Sequence, residues 1–154
     1  MFKDAANLNF THVPYKGGAP AITDLIGGQI DFMFTTIPGA LAHLKAGALR
    51  PIAVTSPKRA EVLPEVPTVA ESGLPGFQAL SWHGVVAPVA TPPAIVTQLH
   101  KALSTALATP EVKARLAQEG ASASGLGPEE FRKYIVREVA TWGKAVKDSG
   151  ATAY

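Results

Sequence analysis

The sequence predicts an α/β fold: a parallel sheet with flanking helices. Three observations carry this. Short apolar stretches alternate with amphipathic stretches through the first half of the 154 residues, glycines punctuate the ends of the amphipathic ones, and the second half has helical periodicity with proline at the helix starts.

Leu8 to Val13 has strand character and runs into Pro14-Tyr15-Lys16-Gly17-Gly18, a turn that opens a helix from Ala19 to Ile26, which Gly27-Gly28 stop. Ile30-Asp31-Phe32-Met33-Phe34 is a continuous apolar run of the kind that forms a buried strand. Pro38 to Ala46 is a second helix, ended by Gly47, and Ile52-Ala53-Val54 is a third strand. Strands joined by short helices pair in parallel with right-handed crossovers. Thr55 to Gly76 contains Pro57, Pro64, Pro67 and Pro75 and is mostly irregular. Inside it Thr68-Val69-Ala70-Glu71 is a capping box that predicts a helix of one or two turns ending at Gly73.

Phe77 to Ala87 is the last extended run and contains Trp82 and Val85-Val86. Helices follow. Thr91 and Thr109 each precede a proline, the N-cap and N1 arrangement, and Gly127-Pro128-Glu129-Glu130 adds two acids to a first turn. Ile95, Leu99, Leu103 and Ala106 form one stripe, and Val112 with Leu116 another. Phe131, Ile135, Val139, Trp142 and Val146 form the longest, at spacings of four, four, three and four. Burial of each large side chain is worth about 1.5–3 kcal/mol, so five left in water would forfeit on the order of 10 kcal/mol, comparable to the stability of a domain. The expectation is that a second copy covers this stripe, by symmetric dimerisation or by exchange of the C-terminal helices. The alternative is that the helices fold back on their own sheet.

Composition excludes more than it identifies. One domain of this length buries about 68–70% of its unfolded surface. The net charge of +2 has no basic stripe, which argues against a nucleic-acid partner. With no cysteine, disulfides, thiolate chemistry and Cys-based zinc sites are all ruled out, and no apolar run reaches the ~18 residues of a membrane span. The N-terminal MFKDAANLNF lacks a basic region followed by an apolar one, so no export signal is expected and the chain as expressed would stay in the cytoplasm.

The phrases HVPYKGGAPAITDLIGGQIDFMF, IPGALAHLKAGALRPIAVTS, KRAEVLPEVPTVAESGLPGF, SWHGVVAPVATPPAIVTQL and PEEFRKYIVREVATWGKAVK occur in this order. Together they closely resemble the Bug receptors, the tripartite tricarboxylate transporter receptor family. The resemblance covers about Leu8 to Gly150 and matches the C-terminal half of such receptors. It implies a periplasmic location, a small carboxylate as ligand, membrane transporter subunits as partners, no cofactor, and a type II periplasmic-binding-protein fold of two α/β lobes around a cleft. On that basis the chain is a truncated receptor completed by dimerisation or domain swapping. Residues 1–80 are then part of the second, ligand-binding lobe. Residues 81–154 are the crossover strand and the C-terminal helices of the first lobe.

Ligands of open parallel sheets sit at the carboxyl ends of the strands, where helix N-termini offer unpaired amides and the positive end of a macrodipole. Two such ends are expected here. After Val13 come Tyr15, Lys16, Gly17, Gly18 and Ala19, whose amides from Gly17 to Ala19 would hold a carboxylate. After Phe34 come Thr35 and Thr36, whose hydroxyls would hold a second oxygen or a water. Trp82 is the remaining candidate, lining the cleft. Each also has a plainer reading: Lys16 as a solvated side chain, Tyr15 as strand-end packing with a wet hydroxyl, Thr35 and Thr36 as caps, Trp82 as hinge packing. Relatives often carry an Asp near Thr35, and its absence disfavours an amino-acid ligand.

The histidines at 12, 43, 83 and 100 show no metal-binding spacing, and no G-x-S-x-G elbow exists, so the chain is expected not to be an enzyme. Two other readings stay open: a non-binding, oligomerising remnant, and a small hydrolase or isomerase using His83 or Lys16.

Overall fold

A computed structural model describes residues 1–149; the last five residues of the expected 81–154 segment lie outside them. Among the described residues six helices form: α1 (Phe2–Ala5), α2 (Gly18–Ile26), α3 (Ile37–Lys45), α4 (Pro93–Ala108), α5 (Pro110–Gln118) and α6 (Pro128–Ser149). α2 and α3 begin one residue earlier than the sequence predicts and end at the expected glycines, with Gly28 at φ 72° and Gly47 at φ 69°. The short helix α1 was not expected. It brings Phe2 edge-on to Phe34 at 5.3 Å and to Phe77 at 5.9 Å.

The expected parallel sheet is corrected by the structure. Among the described residues no ladder forms, and the only β pairing is an isolated parallel bridge between Val54 and Thr68. Segments 8–13 and 30–34 lie side by side through rings instead, with Phe10 edge-on to Phe32 at 5.2 Å and Phe32 to Phe34 at 6.2 Å. A ladder needs neighbouring backbones about 4.8 Å apart. Here the bulk of the phenyl groups supplies the contact and the backbone groups do not exchange hydrogen bonds.

The core is small. Ala21 and Ile22 of α2, Ala40 of α3, and Val54, Val66, Thr68 and Val69 are its buried residues. α2 packs on α3 and α4 on α5. The turn after α5 abuts the start of α3: a Cβ on Gly120, at φ 67°, would lie 2.7 Å from Ile37 Cγ2. The capping box at Thr68 forms in full. The Thr68 amide donates to Glu71 Oε2 at 2.7 Å and the Glu71 amide to Thr68 Oγ1 at 3.0 Å, but the segment closes as turns, not as a helix. Pro67 and the return at Gly73 (φ 111°) leave too few residues for propagation.

Thr109 caps α5 as predicted, accepting from the Val112 amide at 3.4 Å. Thr91 does not cap α4, whose N-cap is Pro92, because the helix starts one residue later at the second proline. The apolar stripes of the C-terminal helices stay partly open to solvent: Ile95, Leu99 and Leu103 on α4, and Val139, Trp142 and Val146 on α6, are all exposed. Part of α6 packs against the extended run around residue 84, where no sheet forms among the described residues for it to fold back on. Phe131 fills the space above Gly84, where a Cβ would meet its ring at 2.2 Å.

Candidate functional site

α2 and α3 both begin without a side-chain cap. At α2 the N-cap is Gly17, at φ 108° and ψ 173°, a conformation that a side chain would strain. The amides of Gly17, Gly18 and Ala19 find no acceptor in the protein. At α3 the N-cap is Thr36, extended at φ −76° and ψ 147°, and its hydroxyl does not turn back onto the helix.

The two helix starts lie close to one another at Thr35. A Cβ on Gly39 would lie 3.3 Å from both Thr35 Oγ1 and Thr36 Oγ1, and one on Gly18 would lie 4.0 Å from Thr35 Oγ1. The Thr35 hydroxyl therefore sits between the first turn of α2 and the first turn of α3, with glycine on either side keeping the space open. Gly17, Gly18, Ala19, Thr35 and Thr36 are all exposed and so reachable. Chemically, this gathers unpaired N–H donors, two free hydroxyls and two positive dipole ends, a set that stabilises an anion without any cationic side chain.

Tyr15 sits at the edge of this group with its hydroxyl committed. It donates to Asp24 Oδ2 at 2.7 Å, bridging the chain entering α2 to a later turn of the same helix. That hydrogen bond is the main cause that raises the Tyr15 pKa, followed by desolvation and the Asp24 charge. The wet hydroxyl of the plainer reading is thus replaced by a bonded one. Nothing in the spacing of nine residues marks the pair in the sequence. Lys16 is exposed beside Gly17 and makes no hydrogen bond or ion pair.

Trp82 lies in a different neighbourhood. Its ring meets Phe131 edge-on at 5.6 Å and Tyr134 at 5.5 Å, and its Nε1 donates to Glu138 Oε2 at 3.0 Å, all three on α6. Trp142 Nε1 donates to the same oxygen at 3.0 Å. Both tryptophans of the chain thus share one carboxylate. Gly39 is the residue that the sequence reading missed at the site; a glycine inside the first turn of a helix, three residues after a pair of threonines, was its one visible mark. Among the described residues no group of three His, Asp or Glu side chains gathers to hold a metal, and no helix is long and apolar enough to cross a membrane.

An open groove of about 460 Å³ lies elsewhere, between Leu41 and Lys45 of α3, Val62 and Gln118 of α5. It shares no residue with the helix-start group.

The family model described as tripartite tricarboxylate transporter family receptor matches residues 1–151. The UPF0065 protein in the tcbD-tcbE intergenic region of Pseudomonas sp. (strain P51) is 39% identical over 142 residues, 92% of this chain and 42% of that protein. Among solved structures, R. palustris Rpa4515 with adipate superposes with a TM-score of 0.84 at 37% identity, covering 97% of this chain and 50% of that one. The periplasmic binding protein BugD superposes with a TM-score of 0.78 at 36% identity, covering 97% and 50%. The chain thus spans about half the length of these three relatives, and it belongs to the tripartite tricarboxylate transporter receptor family.

Proposed function

We propose that this chain carries the ligand-binding part of a carboxylate receptor, and that it captures a small acid without converting it. The observation that supports this most is the convergence of two uncapped helix starts on the Thr35 hydroxyl. A carboxylate placed there accepts from the amides of Gly17 to Ala19 with one oxygen and from Thr35 or Thr36 with the other. The exposed Lys16 ammonium adds attraction during approach. Hydrogen bonds to a charged group are each worth about 1.5–3 kcal/mol net, so three or four give about micromolar capture once association costs are subtracted.

In this reading residues 1–80 hold the ligand and residues 81–154 support them. The receptor works in the periplasm, hands its ligand to membrane transporter subunits, and is completed by a second copy of the chain. The type II binding-protein fold is part of the same reading, supported by the superposition on BugD.

Calorimetric titration with adipate and shorter dicarboxylates tests it. Saturable heat is expected from at least one of them. Thr35→Val should weaken that binding about tenfold by removing one charge-assisted hydrogen bond. Gly39→Ala should do the same by crowding both hydroxyls while leaving the fold intact. No heat from any dicarboxylate overturns the reading in favour of a non-binding, oligomerising chain.

A further inference from the structure

Asp24 is an acid at the unfavourable end of its own helix. α2 runs from Gly18 to Ile26, so Asp24 sits in the last turn, where the negative end of the macrodipole opposes a carboxylate. Among the described residues no cationic group pairs with it. The one hydrogen bond its side chain accepts comes from the Tyr15 hydroxyl, at 2.7 Å. A bond to an ionised carboxylate is stronger than one between neutral groups, and both residues are half-buried, which shields it from competing water.

The bond closes around the two glycines that start α2. Tyr15 lies two residues before the N-cap Gly17, yet its hydroxyl reaches the last turn of the helix that Gly17 opens. The side chain must therefore run along α2 while the backbone reverses at Gly17, which it does at φ 108° and ψ 173°. A hydrophobic staple sets the angle at which a chain enters a helix by apolar contact, and here a hydroxyl and a carboxylate do the same. Among the described residues neither Pro14 nor Lys16, on either side of Tyr15, is hydrogen-bonded, so the Tyr15 side chain is what ties this entry to the helix. The tie matters because glycine loses more conformational freedom on ordering than any other residue, and two stand in sequence at this turn.

We propose that Tyr15 and Asp24 are positioning residues: their bond fixes the Gly17–Gly18 turn, so that the amides from Gly17 to Ala19 meet an acid already ordered. A preordered turn spares the ligand the entropy of arranging it, a gain in affinity without a further contact. The proposal takes its ligand from the carboxylate reading, but the tie itself does not depend on that reading, and the two can fail separately.

Tyr15→Phe keeps the ring and removes the hydroxyl. Asp24→Ala removes the acceptor, whereas Asp24→Asn keeps an acceptor oxygen in place. Lys16 makes the ligand-free test direct, because trypsin cuts the Lys16–Gly17 bond when the turn opens. Relative to cutting after the exposed Lys58, this cleavage should be about threefold to tenfold faster in Tyr15→Phe and Asp24→Ala than in the unmodified chain, with helical circular dichroism unchanged. Asp24→Asn should stay close to the unmodified chain. The double variant Tyr15→Phe with Asp24→Ala should be no faster than either single one, since one bond is lost only once. In calorimetry, adipate should bind Tyr15→Phe about threefold to tenfold more weakly, with the loss in the entropy of binding. Equal cleavage in Tyr15→Phe and the unmodified chain overturns the proposal, whether or not adipate binds. So does an adipate affinity that Tyr15→Phe leaves unchanged. Faster cleavage in Tyr15→Phe with no heat from the unmodified chain supports the tie and overturns the carboxylate reading alone.

Discussion

Val54 is 9% exposed and Val86 80%, although both sit in stretches that read as extended strand. Val54 lies in a clasp that finds its partners close by. Its amide donates to Pro67 O at 2.9 Å, its carbonyl accepts from Val69 at 2.9 Å, and Thr55 exchanges bonds with Ala79 through both backbone and hydroxyl. The capping box from Thr68 to Glu71 and the Arg59–Glu71 ion pair then lock the returning chain. Val86 has no such return. Its nearby anchors are side-chain contacts with α6, Phe131 over Gly84 and Trp82 against Tyr134 and Glu138, and both edges of its backbone stay open. Equal β-propensity thus yields opposite burial, because strand formation depends on a second backbone that only one of the two segments meets.

Breaking the anchor should have the largest effect. Gly84→Ala drives a methyl group to 2.2 Å from Phe131 Cζ, so the ring must move and the contact with Trp82 loosens. A loss of about 2–3 kcal/mol is expected by urea unfolding, together with a change in tryptophan emission. An unchanged midpoint would mean that α6 is not held at this point.

The clasp is next. Thr68 is 2% exposed, and Thr68→Ala removes the hydroxyl that caps the Glu71 amide. About 1–2 kcal/mol should be lost, and Thr68→Ser should restore most of it. Full retention of stability in the alanine variant would show that the bridge to Val54 suffices without the box.

Glu138→Ala frees both indole N–H groups at once. Because Trp82 and Trp142 are the only tryptophans, a shift in emission of the whole protein reads the release directly, with a cost of about 1–2 kcal/mol. No spectral change would separate these rings from α6 packing.

Acid should act on the clasp before the open edge. The Thr68 amide, then Arg59, hold the Glu71 carboxyl below the usual glutamate range. A depressed folded value contributes stability at pH above the unfolded value, and this is lost as pH falls through the folded one. Stability should therefore decline in the acid range, and Glu71→Gln should flatten that decline in unfolding midpoints. The smallest effect belongs to the exposed Arg115–Glu119 pair, where Glu119→Gln should shift stability by less than about 0.5 kcal/mol.

Much of this was legible in the residues. Gly28 and Gly47 stop their helices because only glycine adopts positive φ there at little cost, and Thr109-Pro110 starts α5 because a hydroxyl cap and a fixed φ suit a first turn. The helix-start group at Gly17 and Gly18 was visible for the same local reason. Gly39 was not, since its role depends on where Thr35 lies relative to a second helix. Neither was the Tyr15–Asp24 bond, nor the shared grip of Trp82 and Trp142 on Glu138 across 56 residues.

The residues alone determined where α2 to α6 begin to within one residue, which amides are left unpaired, and which family the phrases resemble, because each depends on conformational preferences within a few neighbours. Tertiary structure decided which apolar stretches became core and which stayed open, and that the predicted sheet is reduced to the bridge between Val54 and Thr68. Pairing requires two backbones to meet, and no single segment carries the information about its partner.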